Sequence, residues 1–426
     1  MSVPSDVPAP VDTPRSSLLR DPAYVVALVV AVVVALGFGL VVPVLPLFAR
    51  DFGVGLFAVT SVVSLFAGVR LISNIYTGGL SDRIGSRNAI GWGALIVAGS
   101  SLLVATAGSY WQLLLYRGVG GFGSALFFNA LLTHVVGLVG PEHRGRAVGG
   151  LQGAFLFGTS FGPTVGGLLA EPLGLRWPFA IYAVFCAAAG IVALLFLPRE
   201  AGSAEHAEGG AGRSEPAGDA RPSSITGVLR IARELCRDRT FVAALVLMAA
   251  SRWAATGVRF SLVPVFGVEE VGASTLVMSL ALTLAALTHL AVVYPAGKIA
   301  DTFGRRGLSV GSYLAFGVIA GALVFATSVP AFLVVMGLYG LATGFSSVTP
   351  PAIVGDIVPK ARTGVSIGVL NTAADAGSVL GPVVSGVLAE QLGYAAGFGA
   401  SALLLLVAGF VAVGMRETLP AQRPAV

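Results

Sequence analysis

Six ionisable side chains interrupt long apolar stretches of this chain, Arg70, Arg117, Arg252, Arg259, His289 and Asp375, and a seventh, Asp356, stands near the end of one. In hydrocarbon each such group costs from about 2.5 to more than about 10 kcal/mol, so each implies a partner or a water-filled cavity. Asp375 is the one carboxylate near the middle of a run, and Asn371, Asp375 and Ser378 share a helix face. Burial favours the neutral acid and a neighbouring guanidinium favours the anion, a competition that suits a group taking up and releasing a proton. The same carboxylate could instead form a fixed ion pair with Arg70 or Arg252. Arg252 and Arg259 are seven residues apart, on one face of an α-helix, and Arg70 with Asn74 makes a comparable polar face. A cavity lined by these arginines is net positive and would attract a carboxylate-bearing substrate through bidentate contacts. Arg259, near the end of its run, is also within snorkelling reach of headgroups. His289 is of a type that can relay protons near neutral pH, whereas His134 reads as a packing residue.

The elements that must hold these groups are set by composition. The 426 residues are 55% hydrophobic and only 11% charged, with a mean hydropathy of +0.87, against roughly 25% charged in soluble domains. Twelve apolar runs of bilayer-spanning length begin near Ala23, Leu56, Asn88, Ser109, Arg146, Pro178, Thr240, Ala273, Gly307, Ala331, Val365 and Ala395. They are too long and too evenly apolar for barrel strands, so the fold class is an all-α membrane protein. The net charge of +5 is no sign of a nucleic-acid partner, because 20 Lys and Arg fall on the loops and tails of one side and only Arg50 and Arg176 on the other. That asymmetry predicts a multi-pass protein of an inner membrane with both termini in the cytoplasm. Cys186 and Cys236 sit too far apart in this layout to pair. No metal-ligand or nucleophile–base spacing is present, so neither cofactor nor enzyme chemistry is expected.

The stretch "GGLSDRIGSR" at residues 78–87 has a relative, "GKIADTFGRR", at 297–306, so Asp301 follows Asp82 by 219 residues. The same shift superimposes Gly85 on Gly304, Arg87 on Arg306, Gly162-Pro163 on Gly381-Pro382 and Glu171 on Glu390. The chain is therefore a duplication, two pseudo-symmetric six-helix bundles at 22–197 and 240–414. Tails at 1–21 and 415–426 flank them, and a cytoplasmic segment at 198–239 joins them. Its first part, 198–224, has the Gly, Ala, Ser and Glu content of a solvated linker. Its second part alternates Ile225, Val228, Leu229, Ala232 and Leu235 with Arg230, Arg233 and Arg237, an amphipathic helix suited to the inner membrane surface.

These motifs resemble the major facilitator superfamily from about Ala23 to Met415. The superfamily signature between the second and third spans is matched by Gly78, Leu80, Asp82, Arg83, Gly85 and Arg87, and its second copy keeps Gly297, Asp301, Gly304 and Arg306 with Ile299 and Thr302 substituted. The resemblance implies a gate on the cytoplasmic side formed by Asp82, Arg83, Gly85, Arg87, Asp301, Gly304, Arg305 and Arg306, joined by Asp356 and Arg362. "GTSFGPTVGG" at 158–167, with Gly158, Gly162, Pro163, Gly166 and Gly167, is similar to the fifth-span pattern of exporters that exchange substrate for protons. Arg117 stands where the family has an arginine linked to proton transfer, which makes Arg117 and Asp375 the implied coupling residues. The first span resembles that of twelve-span drug/proton antiporters, yet lacks the acidic residue many of them carry there. What the resemblance implies is a monomeric exporter of a small organic compound, drug-like or metabolite, driven by protons. A symporter or facilitator for uptake shares the same fold, and a transporter-like sensor is the more distant alternative.

Overall fold

The computed structural model describes residues 20–140, 143–198, 225–359 and 362–419. Twelve described helices are long and apolar enough to cross a membrane. In chain order they are α1 Pro22–Arg50, α2 Leu56–Ile84, α3 Ser86–Ala105, α4 Tyr110–Gly137, α5 Arg144–Leu173 and α6 Trp177–Phe196, then α7 Arg239–Glu269, α8 Thr275–Phe303, α9 Arg305–Phe325, α10 Val329–Ile357, α11 Thr363–Leu392 and α12 Tyr394–Val413. Each begins within two residues of the start expected from the apolar runs.

Local chemistry sets many of the ends. Asp21 accepts from the backbone N–H of Ala23 at 2.9 Å and Pro22 opens the helix, so α1 starts there. Asp238 caps α7 and Ser109 caps α4 in the same way. Gly85, at φ 83° and ψ 145°, both ends α2 and starts α3, and Gly304, at φ 96° and ψ 156°, does the same between α8 and α9. Three spans are irregular inside, one of them α10, which is interrupted at Val348 between Val329–Ser347 and Thr349–Ile357. α1 breaks at Val42–Pro43, where the proline ring removes a backbone donor. α7 passes through a π-helical segment at Ala254–Leu262, whose hydrogen bonds run i→i+5.

The two halves pack alike: α1 lies on α5 and α6, α2 on α4, and α3 on α4 and α6, while α7 lies on α11 and α12, α8 on α10, and α9 on α10 and α12. Between the halves the principal contacts are α2 with α11 and α5 with α8, two versions of one interface. The odd-numbered spans and the linker helix, Ile225–Leu235, begin at the end that carries Gly85 and Gly304, called here the hinge end. The linker helix packs on α11, with Arg362 Nη1 3.0 Å from Glu234 Oε2. The linker expected at 198–224 lies outside the described residues after its first member.

Candidate functional site

At mid-length of the α2–α11 contact the two halves share a charge pair. Arg70 Nη2 lies 3.4 Å from Asp375 Oδ1, and their side chains are 30% and 15% exposed, so the pair is shielded without being sealed. Arg252 of α7 is partly buried and feels the charges of both partners. Two guanidinium groups against one carboxylate leave this cluster with one unbalanced positive charge. Asn371 is exposed one turn nearer the hinge end, on the same face of α11. Ser378 shares the face but spends its hydroxyl on Ala374 O, at 3.0 Å.

Other groups expected at the cavity sit elsewhere. Arg259 is buried inside the second half, where Nη2 donates to Leu282 O at 3.2 Å and the guanidinium lies 5.2 Å from the Phe260 ring centroid. Arg252 and Arg259 therefore do not share a face: the wider π turn between them spends fewer degrees per residue, so a seven-residue step no longer returns to the same side. Being buried, Arg259 does not snorkel either. His289, the repeat equivalent of Arg70, approaches Ser347 Oγ of α10 at 3.5 Å and does not reach Asp375. Arg117 is 3% exposed in the first half, its guanidinium 4.5 Å from the ring centroid of Phe66, one helical turn from Arg70. Asn74 accepts from Asn129 Nδ2 at 3.2 Å, and the same amide reaches Thr77 Oγ1 at 2.8 Å. Asn129 escaped the sequence reading, although an amide inside an apolar run is itself a signal.

The two hinges are held differently. Asp82 and Arg83 are exposed and make no hydrogen bond or ion pair among the described residues, while Arg87 donates to Leu194 O in α6. At the second hinge Arg305 bridges Asp301 at 2.6 Å and Asp356 at 3.1 Å, and Thr418 donates to Asp356 at 3.0 Å. Glu417 takes the backbone N–H groups of Arg305 and Arg306, at 2.7 and 3.1 Å. Burial opposes the charge of Glu417, but hydrogen bonds from the backbones of Arg305, Leu419, Arg306 and Thr418 outweigh it and hold the carboxyl below the usual range. These contacts all stay within one half.

The fifth-span glycines serve close packing. A Cβ on Gly158 would come within 2.7 Å of Ala35 Cβ, and one on Gly39 within 2.7 Å of Gly162 Cα, so α1 and α5 meet almost backbone to backbone. Gly166 faces the Leu40 backbone of α1. Gly167 differs, facing Ser279 and Leu276 of α8 in the other half, and near it Thr164 Oγ1 donates to Thr283 Oγ1 at 2.7 Å. Ser64 Oγ donates to Val379 O at 2.8 Å across the α2–α11 contact.

Comparison with known proteins fits this architecture. The model of the Major Facilitator Superfamily matches residues 27–269 and 247–426. An uncharacterised MFS-type transporter of Methanocaldococcus jannaschii is 23% identical over 380 residues, 88% of this chain and 93% of that protein. The quinolone resistance protein NorA of Staphylococcus aureus is 30% identical over 161 residues, 38% of this chain and 40% of that protein. Among solved structures, the nucleoside transporter NupG superposes with a TM-score of 0.73 at 15% identity, over 92% of this chain and 98% of that one.

Proposed function

We propose that this chain, which belongs to the major facilitator superfamily, exports a small organic compound in exchange for protons by alternating access. The observation that carries the proposal is the Arg70–Asp375 pair, 3.4 Å apart, bridging the two halves at mid-span. Transporters of this build rock one bundle against the other around a midplane site. A charge pair across that seam ties protonation to the rocking. With Asp375 ionised, the pair draws α2 and α11 together. With Asp375 protonated, Arg70 loses its partner, and Arg70 and Arg252 stand as uncompensated cations where substrate would bind. Arg117 acts on the pair at one remove, through its stacking on Phe66.

Export is supported by the fifth-span glycine pattern and by the local similarity to NorA. In this reading the hinge end and both termini lie in the cytoplasm of a bacterial cell, which agrees with the 20 to 2 division of Lys and Arg between the two sides. Asp82, Arg83 and Arg87 then face Asp301, Arg305, Arg306, Asp356 and Arg362 when the cytoplasmic side closes.

The test is accumulation of anionic, neutral and cationic test compounds in an efflux-deficient host. Native protein and Asp375→Asn are compared, each with and without a proton uncoupler. Lower accumulation with the native protein, lost with either treatment, is the expected result. Higher accumulation would make the protein an uptake symporter or facilitator, and accumulation lowered equally by Asp375→Asn would remove Asp375 from the coupling role.

A further inference from the structure

We propose that Glu171 and Glu390 hold the end opposite the hinges shut, each by capping the first turn of a helix in the other half, and so set the balance between the two faces. Glu171 Oε2 accepts from the backbone N–H of Leu276 at 2.8 Å and from Ser274 Oγ at 3.1 Å. Glu390 Oε2 accepts from the backbone N–H of Phe57 at 2.6 Å. Glu171 and Glu390 are 219 residues apart, and so are Phe57 and Leu276. The two contacts are thus one contact made twice, the isologous pattern of a two-fold interface.

The chemistry suits a releasable joint. The first turn of a helix leaves backbone N–H groups unpartnered at the positive end of its dipole, and a carboxylate satisfies both demands. α2 begins after Gly55, which has no capping side chain, and Glu390 supplies the missing acceptor from the other half. The equivalent of Gly55 in the other contact is Ser274, whose hydroxyl joins the backbone N–H in holding its glutamate, so the two caps differ by one hydrogen bond. Behind each carboxylate a glycine admits the opposing helix. A Cβ on Gly167 would come within 3.2 Å of Leu276 Cα, and one on its equivalent Gly386 within 3.2 Å of Phe57 Cα. Between the caps, Arg50 Nε and Glu269 Oε1 pair at 2.6 Å, and Tyr394 Oη donates to Glu269 Oε2 at 2.7 Å.

The cross-half contacts of Arg50, Phe57, Ser64, Arg70, Thr164 and Ser274 all lie from the Arg70–Asp375 level to this end. The hinge networks, in contrast, stay within their own halves, so the described state is closed at the far end. Opening that end must break both caps together, which returns two helix termini and two carboxylates to water. This holds whichever way substrate moves and whichever residue carries the proton.

The test is a distance measurement by pulsed electron resonance on the full chain in nanodiscs, with spin labels at Thr106→Cys and Thr327→Cys on the far-end loops and Cys236→Ser as background. Native protein should give mainly the short distance. Glu171→Ala and Glu390→Ala should each raise the ratio of long to short distances by about tenfold, and the double variant further. Glu390→Gln keeps the length of the side chain but removes its charge, and should move the ratio in the same direction by a smaller factor. It also provides the readout if an alanine variant does not fold. Unchanged distances in the folded variants would overturn the proposal. Because no transport is measured, this outcome is independent of what Asp375→Asn does to export.

Discussion

At the scale of single residues, the hinges show how one position can be held by two causes. Gly85 and Gly304 both sit at positive φ with ψ near 150°, a region open essentially to glycine alone. A Cβ on Gly85 would meet nothing, whereas one on Gly304 would run into the Glu417 carboxylate. Gly85→Ala should therefore lose about 1–3 kcal/mol of stability from backbone strain, and Gly304→Ala should lose more, measured by thermal unfolding of the purified proteins. Glu417 adds a pH dependence with a definite sign. Its carboxyl is held below the usual range, so its stabilising contribution is present above the ordinary carboxylate range and is lost as pH falls through the lowered value. The amides of Arg305 and Arg306 should stay protected from hydrogen exchange at neutral pH and lose protection only in that acid window. In Glu417→Ala they should exchange quickly throughout.

At the scale of elements, the twelve spans and their duplication were legible because apolar runs and a 219-residue repeat are properties of the chain itself. The meeting of Arg70 with Asp375 was legible as one of two partnerships, since each charge had to find a partner and few were on offer. The position of Arg259 was not legible, because residue spacing converts to a face only for an assumed winding, and the π segment at Ala254–Leu262 changes that winding. The capping role of Glu390 was hidden for another reason: an acidic residue at the end of a span looks like an ordinary surface charge until the opposing helix is in view. Packing of the fifth span is open to a direct check. Gly162→Val forces bulk between α5 and α1 and should cost about 1–3 kcal/mol, or prevent assembly, as judged by thermal unfolding and by yield of monodisperse protein. Gly153→Ala, on the same helix with open space around its Cβ, should unfold like the native chain.

At the scale of the whole molecule, the pair formed by Arg50 and Glu269 stands apart, because its two members are repeat equivalents of each other. Residues related by a two-fold operation can touch directly only close to its axis. Exchanging the charges, Arg50→Glu with Glu269→Arg, should therefore leave the far-end distance distribution close to native. Arg50→Glu alone sets two carboxylates against each other and should favour the long distance, read with the same spin labels. The axis also bears on how such a molecule can come to exist. A homodimer of identical six-helix subunits must put the same side chain against itself at this point, and two like charges there repel. Only once the two copies are different sequences, free to mutate separately, can the axis carry a cation facing an anion. Arg50 and Glu269 are thus a chemical opportunity that duplication and divergence opened and self-association of identical copies could not.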